Sequence, residues 1–119
     1  MEETVRELKD GEKGKVYLRD TNTYFTTEKT HYNKITVDSR GFTHSLDSNP
    51  SHINYLKNGY IFFKYYYNHG KRENLNGPAF IKYSKSGKII KESYYIQGVK
   101  LTKDEWKLRI NRIQMLNEF

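Results

Sequence analysis

Apolar and polar residues alternate in short runs along most of this chain, and the alternation has a period of two. "SHINYLK" (51–57) and "AFIKYSK" (79–85) place apolar side chains at every second position. "YIFFKYYYN" (60–68) and "KIIKESYYI" (88–96) are runs rich in aromatic and β-branched residues. A period of two sends successive side chains to opposite faces of a strand, so these four segments are expected as strands. Asn58-Gly59 and Ser86-Gly87 stand inside each pair, and Gly supplies a positive φ there without steric penalty. Each pair therefore reads as a hairpin, and His69-Gly70 and Gln97-Gly98 close each unit with a second turn. The period changes only near the C-terminus. Trp106, Ile110 and Ile113 recur at helical spacing, with Met115, Leu116 and Phe119 widening the stripe. Thr102 and Glu105 have capping-box spacing, and Leu101 and Trp106 occupy the positions of a hydrophobic staple. A helix over 102–119 is expected to lie across the last hairpin. Covering the open end of a sheet is its plain role, and pairing with a second copy is the sharper one.

The two hairpins are copies of one another. Residues 50–70 align with 78–98 without a gap, and nine of the 21 positions are identical, Pro50/Pro78, Gly59/Gly87 and Gly70/Gly98 among them. Average residue usage gives about one or two identities by chance. An internal repeat of 28 residues means stacked supersecondary units, because one hairpin cannot bury its apolar face alone. "ITVDSRGF" (35–42) resembles "INYLKNGY" (53–60) and suggests a degraded half-copy upstream.

"NGPAFIKY", the Ser-Gly turn, "IIKESYYIQG" and the 28-residue period together resemble MORN-like repeats. These are the hairpin repeats of bacterial, phage and giant-virus proteins, some of them labelled antitoxins. The resemblance covers about residues 50–101 and rests most on Gly77-Pro78-Ala79 and the Tyr-Tyr-x-x-Gly ending. It implies a hairpin scaffold with many uses, and a phage, viral or mobile-element setting. With the Lys/Asn/Tyr/Ile-rich composition, that setting is consistent with an AT-rich genome.

The expected fold is thus mainly β (α+β), an antiparallel hairpin-repeat meander with a C-terminal helix packed against it. It divides into an N-terminal segment (1–45), two repeats (46–101) and a capping helix (102–119), all within one compact domain. In the first part, "EETVRELKD" is expected as a short helix, and "GKVYLRD", "NTYFTT" and "KITVDS" as strands. Whether they extend the repeat sheet or cap it is open at this point. Gly59, Gly70, Pro78, Gly87, Gly98 and Trp106 are the expected structural positions.

Charge sharpens the picture because it is uneven. The formal net charge is +7, yet residues 57–103 alone hold ten Lys/Arg against Glu73 and Glu92. A localised excess points to an acidic partner or to phosphate. The chain has no cysteine, which excludes disulfides and thiolate metal sites and fits a reducing compartment. No apolar run approaches a membrane span and "MEETVRELKD" lacks a signal-peptide pattern, so a cytoplasmic location is expected.

Catalytic spacings are missing. His31, His44, His52 and His69 belong to no metal or nucleophile pattern and are expected at strand edges or turns. "DGEKGK" is no P-loop and "SRGFTHS" no nucleophile elbow. A non-enzyme without cofactor or metal is expected.

The informative chemistry lies where the copies differ. Phe63 and Tyr65 become Lys91 and Ser93 in the second copy, and a polar replacement suggests an exposed position. Phe63 and Tyr65 share a strand face, with Lys64 between them on the other. Phe63, Tyr65, Lys64, Lys85, Lys88 and Lys91 are the candidate partner-binding residues. The plain alternative has the N-terminal half packed over Phe63 and Tyr65, with the lysines serving solubility. The favoured function is a small binding protein that docks on an acidic protein as inhibitor, antitoxin or adaptor, acting as a monomer or homodimer. The alternative is a nucleic-acid-binding module using the lysine/tyrosine-rich face, which would be salt-sensitive and weakly sequence-specific because arginine is scarce. A membrane surface is the least supported partner, since no basic amphipathic helix or lipidation motif accompanies the lysines.

Overall fold

The computed structural model describes residues 4–6, 16–18, 22–27, 30–46 and 48–117. Eleven strands and one helix follow in order: β1 (Thr4–Arg6), β2 (Val16–Leu18), β3 (Thr23–Thr27), β4 (His31–Thr36), β5 (His52–Leu56), β6 (Ile61–Tyr65), β7 (Tyr67–Asn68), β8 (Lys71–Arg72), β9 (Phe80–Tyr83), β10 (Ile89–Ile96), β11 (Val99–Leu101) and α1 (Lys103–Asn117). Nine of the strands form one antiparallel sheet in the order β1-β2-β3-β4-β5-β6-β9-β10-β11, and β7 and β8 pair as a separate hairpin. The protein is a mainly β meander with a C-terminal helix packed on its last strands.

The first part of the chain extends the repeat sheet sideways through β1 to β4, and it does not cap it. At Thr4–Arg6, where a helix was expected, the chain is strand β1, paired with β2. "EETVRELKD" has helical propensity, but pairing against a neighbouring strand overrides so weak a local preference.

The internal repeat is present in the backbone bond by bond. Leu56 N–H donates to Tyr60 O and Gly59 N–H to Leu56 O, and 28 residues on Ser84 N–H donates to Lys88 O and Gly87 N–H to Ser84 O. Gly59 (φ 91°) and Gly87 (φ 86°) hold the left-handed position of these three-residue loops. Both hairpins then skip one residue of register, at Phe62 and at Ile90. A β-bulge of this kind sets two residues against one on the partner strand. His69-Gly70 and Gln97-Gly98 take positive φ at both central positions, which makes two-residue loops matching the strand twist. The half-copy has the same turn. Asp38 N–H donates to Phe42 O, Gly41 N–H donates to Asp38 O, and Val37 bridges to Thr43.

Small residues mark the rung where each unit bends. Ser51 and Ala79, equivalent in the repeat, are both fully buried, and their N–H groups donate to Tyr65 O and Ser93 O. The helix begins as its capping box requires. Glu105 N–H donates to Thr102 Oγ1 (3.2 Å) and Thr102 N–H to Glu105 Oε1 (3.0 Å). Trp106 packs on Tyr94 with ring centroids 5.0 Å apart and donates its indole N–H to Asn74 O (3.0 Å). Among the described side chains of α1, Trp106, Ile110 and Ile113 are half-buried, and the helix packs chiefly on β10 and β11.

Packing is thin elsewhere. Among the described residues Ala79, Tyr94 and Ile96 are the buried apolar ones, and all three belong to the second repeat beside α1. Every residue of β3, β6 and β9 is half-buried. Among the described elements, none lays a second layer over β3 to β6.

A candidate docking face on the open sheet

Strand register sorts the side chains of the two repeats onto two faces. One face carries His52, Asn54, Phe63 and Tyr65 from the first copy and their equivalents Phe80, Lys82, Lys91 and Ser93 from the second. None of these four pairs is identical. The opposite face carries Ile53/Ile81, Tyr55/Tyr83 and Ile61/Ile89, all identical, with Lys64/Glu92 as the exception. At these positions identity is concentrated on one face and difference on the other, with Tyr67/Tyr95, beside Tyr65 and Arg72, an identical pair at the end of the divergent face.

The divergent face bears a belt of aromatic rings. Phe63 meets Tyr65 (5.2 Å, edge-on), His52 (5.4 Å, edge-on) and Phe80 (6.2 Å), and Tyr65 meets Phe80 at 4.7 Å. Strict alternation would send Phe62 to the other side. The bulge places it beside Phe63 instead, at 5.9 Å, with His31 at 5.4 Å. At the far end Arg72 lies 4.7 Å above the Tyr65 ring and 5.5 Å from Tyr95. Its guanidinium donates to the hydroxyls of Tyr67 and Tyr95 (both 3.4 Å), and those bonds, Tyr67's foremost, raise its already high pKa. Burial raises the Tyr65 phenol above its ordinary value, the nearby Arg72 charge opposing in part.

On either side of the belt the chemistry differs. The rung through Phe63 continues to Asn54, Asn33 and Thr26 in one direction and to Lys82 and Lys91 in the other. The asparagine side is buried and hydrogen-bonded: Asn54 Nδ2 donates to Asn33 Oδ1 (2.7 Å), which also receives His52 Nε2 (2.8 Å), and Asn33 Nδ2 donates to Thr26 Oγ1 (3.2 Å). Asn54 Oδ1 has no hydrogen-bond partner. On the lysine side, Lys82 and Lys91 are register partners. Like charges directly opposite repel. No carboxylate of the described residues pairs with either of them, and the Lys82 ammonium lies 5.3 Å over the Phe62 ring.

The candidate residues therefore divide. Phe63, Tyr65 and Lys91 share the divergent face. Lys64 lies on the opposite face with its ammonium 5.5 Å over Tyr83, and Lys85 and Lys88 are exposed around the β9–β10 turn. One step of the sequence reasoning fails. Ser93 is buried, so a polar replacement did not mark exposure; a serine is small enough to sit beneath Phe80 in the register. Phe63 and Tyr65 are half-buried by their ring neighbours and Arg72, and none of the described N-terminal strands lies above them. His31 and His52 lie within β4 and β5, not in turns, because each packs a ring against the belt. Phe62, Phe80 and Arg72 were not anticipated. The bulge that recruits Phe62 leaves no mark in a period of two.

A second polar cluster stands away from the belt. His44 and His69 stack at 3.9 Å, and His69 Nδ1 is 2.6 Å from Asp38 Oδ2. That bond, with backbone N–H groups of Phe42 and Arg40, holds the Asp38 carboxyl below its ordinary pKa despite some desolvation. Among the described residues no group of three or more His, Asp or Glu side chains is arranged to hold a metal. No helix among them is long and apolar enough to cross a membrane. Comparisons with family models, curated proteins and solved structures find no match to this chain.

Proposed function

We propose that this is a non-catalytic docking protein, binding an acidic protein surface through the divergent face of its repeat sheet. The observation that carries the reading is the rung Phe63–Lys82–Lys91, where half-buried rings border two opposed, unpaired ammonium groups. Rigid aromatic anchors beside a charged rim are the usual anatomy of a binding patch. Opposed lysines are unfavourable in the free protein and become favourable once carboxylates lie between them. The divergence between copies along the Phe63 and Tyr65 rungs fits an asymmetric partner, whereas a repetitive ligand would favour like positions. The rings also pack edge-on against one another, which leaves few free π-faces for base stacking.

Affinity capture with nuclease-treated extract of the source cell tests this. The expected result is one stoichiometric protein that survives about 200 mM salt and is lost with both Phe63→Ala/Tyr65→Ala and Lys82→Glu/Lys91→Glu. Binding that disappears with nuclease, or collapses between about 50 and 200 mM salt, would replace the reading with nucleic-acid recognition.

A further inference from the structure

Among the described residues the face opposite the docking face is also open over β3 to β6, and it is more apolar. Ile53, Ile61, Ile81 and the stacked Tyr32–Tyr55 pair (4.8 Å) lie there, with a surface cavity of about 360 Å³ between the two glycine turns. Gly59, Ile61, Lys64, Tyr83 and Gly87 line it. Burial raises the Tyr55 phenol above its ordinary pKa, as a ring stacked on Tyr32 in apolar surroundings should. Trp106 meets Tyr94, which the register places on this same face, so α1 is a second layer that stops at β10 and β11.

The helix itself is apolar on two sides. Trp106, Ile110 and Ile113 share the half-buried side. At about 100° per residue Leu108 and Met115 fall close to 180° away. They are 68% and 61% exposed. A helix with apolar side chains on opposite faces suits a place between two layers. The protein supplies one of them.

We infer that a second copy of this chain supplies the other, in a two-fold dimer. The two copies of α1 lie side by side, each clasped between its own β10–β11 and the partner's open sheet. Two observations select this occupant. The first is spacing. Packed helices lie about 8–10 Å apart, so a helix beside α1 sits over β9 and β6, strands about 4.8 Å apart whose aliphatic side no described element covers. The second is charge. The register places Lys34, Lys64 and Glu92 on this face, so copies meet without a large like-charge penalty, whereas the lysine-bearing docking face would repel its own kind. The identity of Ile53/Ile81, Tyr55/Tyr83 and Ile61/Ile89 fits a surface that receives one regular helix. The assembly leaves both docking faces outward.

Light scattering and sedimentation of the purified chain across a concentration series test the inference. The expected mass is twice 14.2 kDa, falling to one chain in Leu108→Lys/Met115→Lys, whose sites are solvent-exposed and whose far-ultraviolet spectrum should be unchanged. The dissociation constant should rise at least tenfold. Ile61→Lys, on the sheet side, should act alike, while Phe63→Ala leaves the dimer intact. A monomer at hundreds of micromolar would overturn the proposal. So would a dimer indifferent to the helix substitutions or broken by Phe63→Ala.

Discussion

Lys82 and Lys91 stand directly opposite each other on β9 and β10, and Lys91→Glu turns their repulsion into an attraction. Taken about 7 Å apart in a water-like dielectric, two unit charges interact by roughly 0.6 kcal/mol. Removing that repulsion and adding a similar attraction predicts a gain of about 1 kcal/mol at low salt, within the usual range of cross-strand pairs. Glu and Lys have similar strand propensities, so little is lost in exchange. Thermal unfolding should shift upward by about 3–6 °C, and about 0.5 M salt should erase most of the gain, since screening then acts over a few ångströms. Lys91→Met should show about half the effect. Binding should move the other way, with affinity for the acidic partner falling about tenfold or more, mainly through slower association. A substitution that stabilises the fold and weakens the complex identifies a charge kept for recognition. If Lys91→Glu lowers the melting temperature at low salt, or its gain persists at high salt, the repulsion is not there and the face loses its electrostatic argument.

Gly59→Ala and Gly87→Ala should each cost about 1 kcal/mol in urea unfolding, and equally, because both glycines have φ near 90° and open space where a Cβ would stand. Gly70→Ala should cost more, as its Cβ would come 3.3 Å from the Phe42 ring. Asn33→Val should destabilise by about 1–3 kcal/mol more than Asn54→Val, since the first strands a buried amide of Asn54 while the second removes an oxygen that already has no partner. Asp38 has a depressed folded-state pKa, so its contribution to stability is complete above the ordinary carboxylate range and is lost as pH falls through the folded value. Asp38→Asn should therefore flatten the acid limb of a stability–pH curve below about pH 4, with no change in slope between about pH 5 and 6 attributable to this carboxyl.

The repeat frame was legible in the sequence because it depends on local chemistry. A glycine at positive φ, an Asn-Gly or Ser-Gly turn and a capping box act within five residues, and the hydrogen bonds at Gly59, Gly87 and Thr102 follow from them. The candidate face was legible only in part. Phe63 and Tyr65 could be found by comparing copies, but Phe62 depends on a bulge, and Arg72 reaches the belt through the β7–β8 hairpin, whose position is tertiary. Ser93 misled because size, as well as polarity, decides what a crowded rung accepts. At Thr4–Arg6 propensity pointed to helix, and a neighbouring strand decided otherwise.

The two faces explain each other. Among the described residues the sheet buries three apolar side chains, a marginal core that a covering layer would strengthen. If one agent covered both faces, the copies would be equally constrained on both, yet identity is concentrated on the Ile53/Ile81 side and is rarer on the Phe63/Lys91 side, where Tyr67/Tyr95 at the Arg72 end is the shared pair. Two agents with different demands account for that asymmetry. A regular apolar layer requires the same residue in each repeat, because each repeat meets the same helix surface. A partner with its own irregular shape requires a different residue in each, and on the proposed reading the opposed lysines would meet negative charge on that partner. Duplication of a hairpin would thus have supplied both at once: a repeated face to build the assembly, and a spare face free to diverge into a binding site.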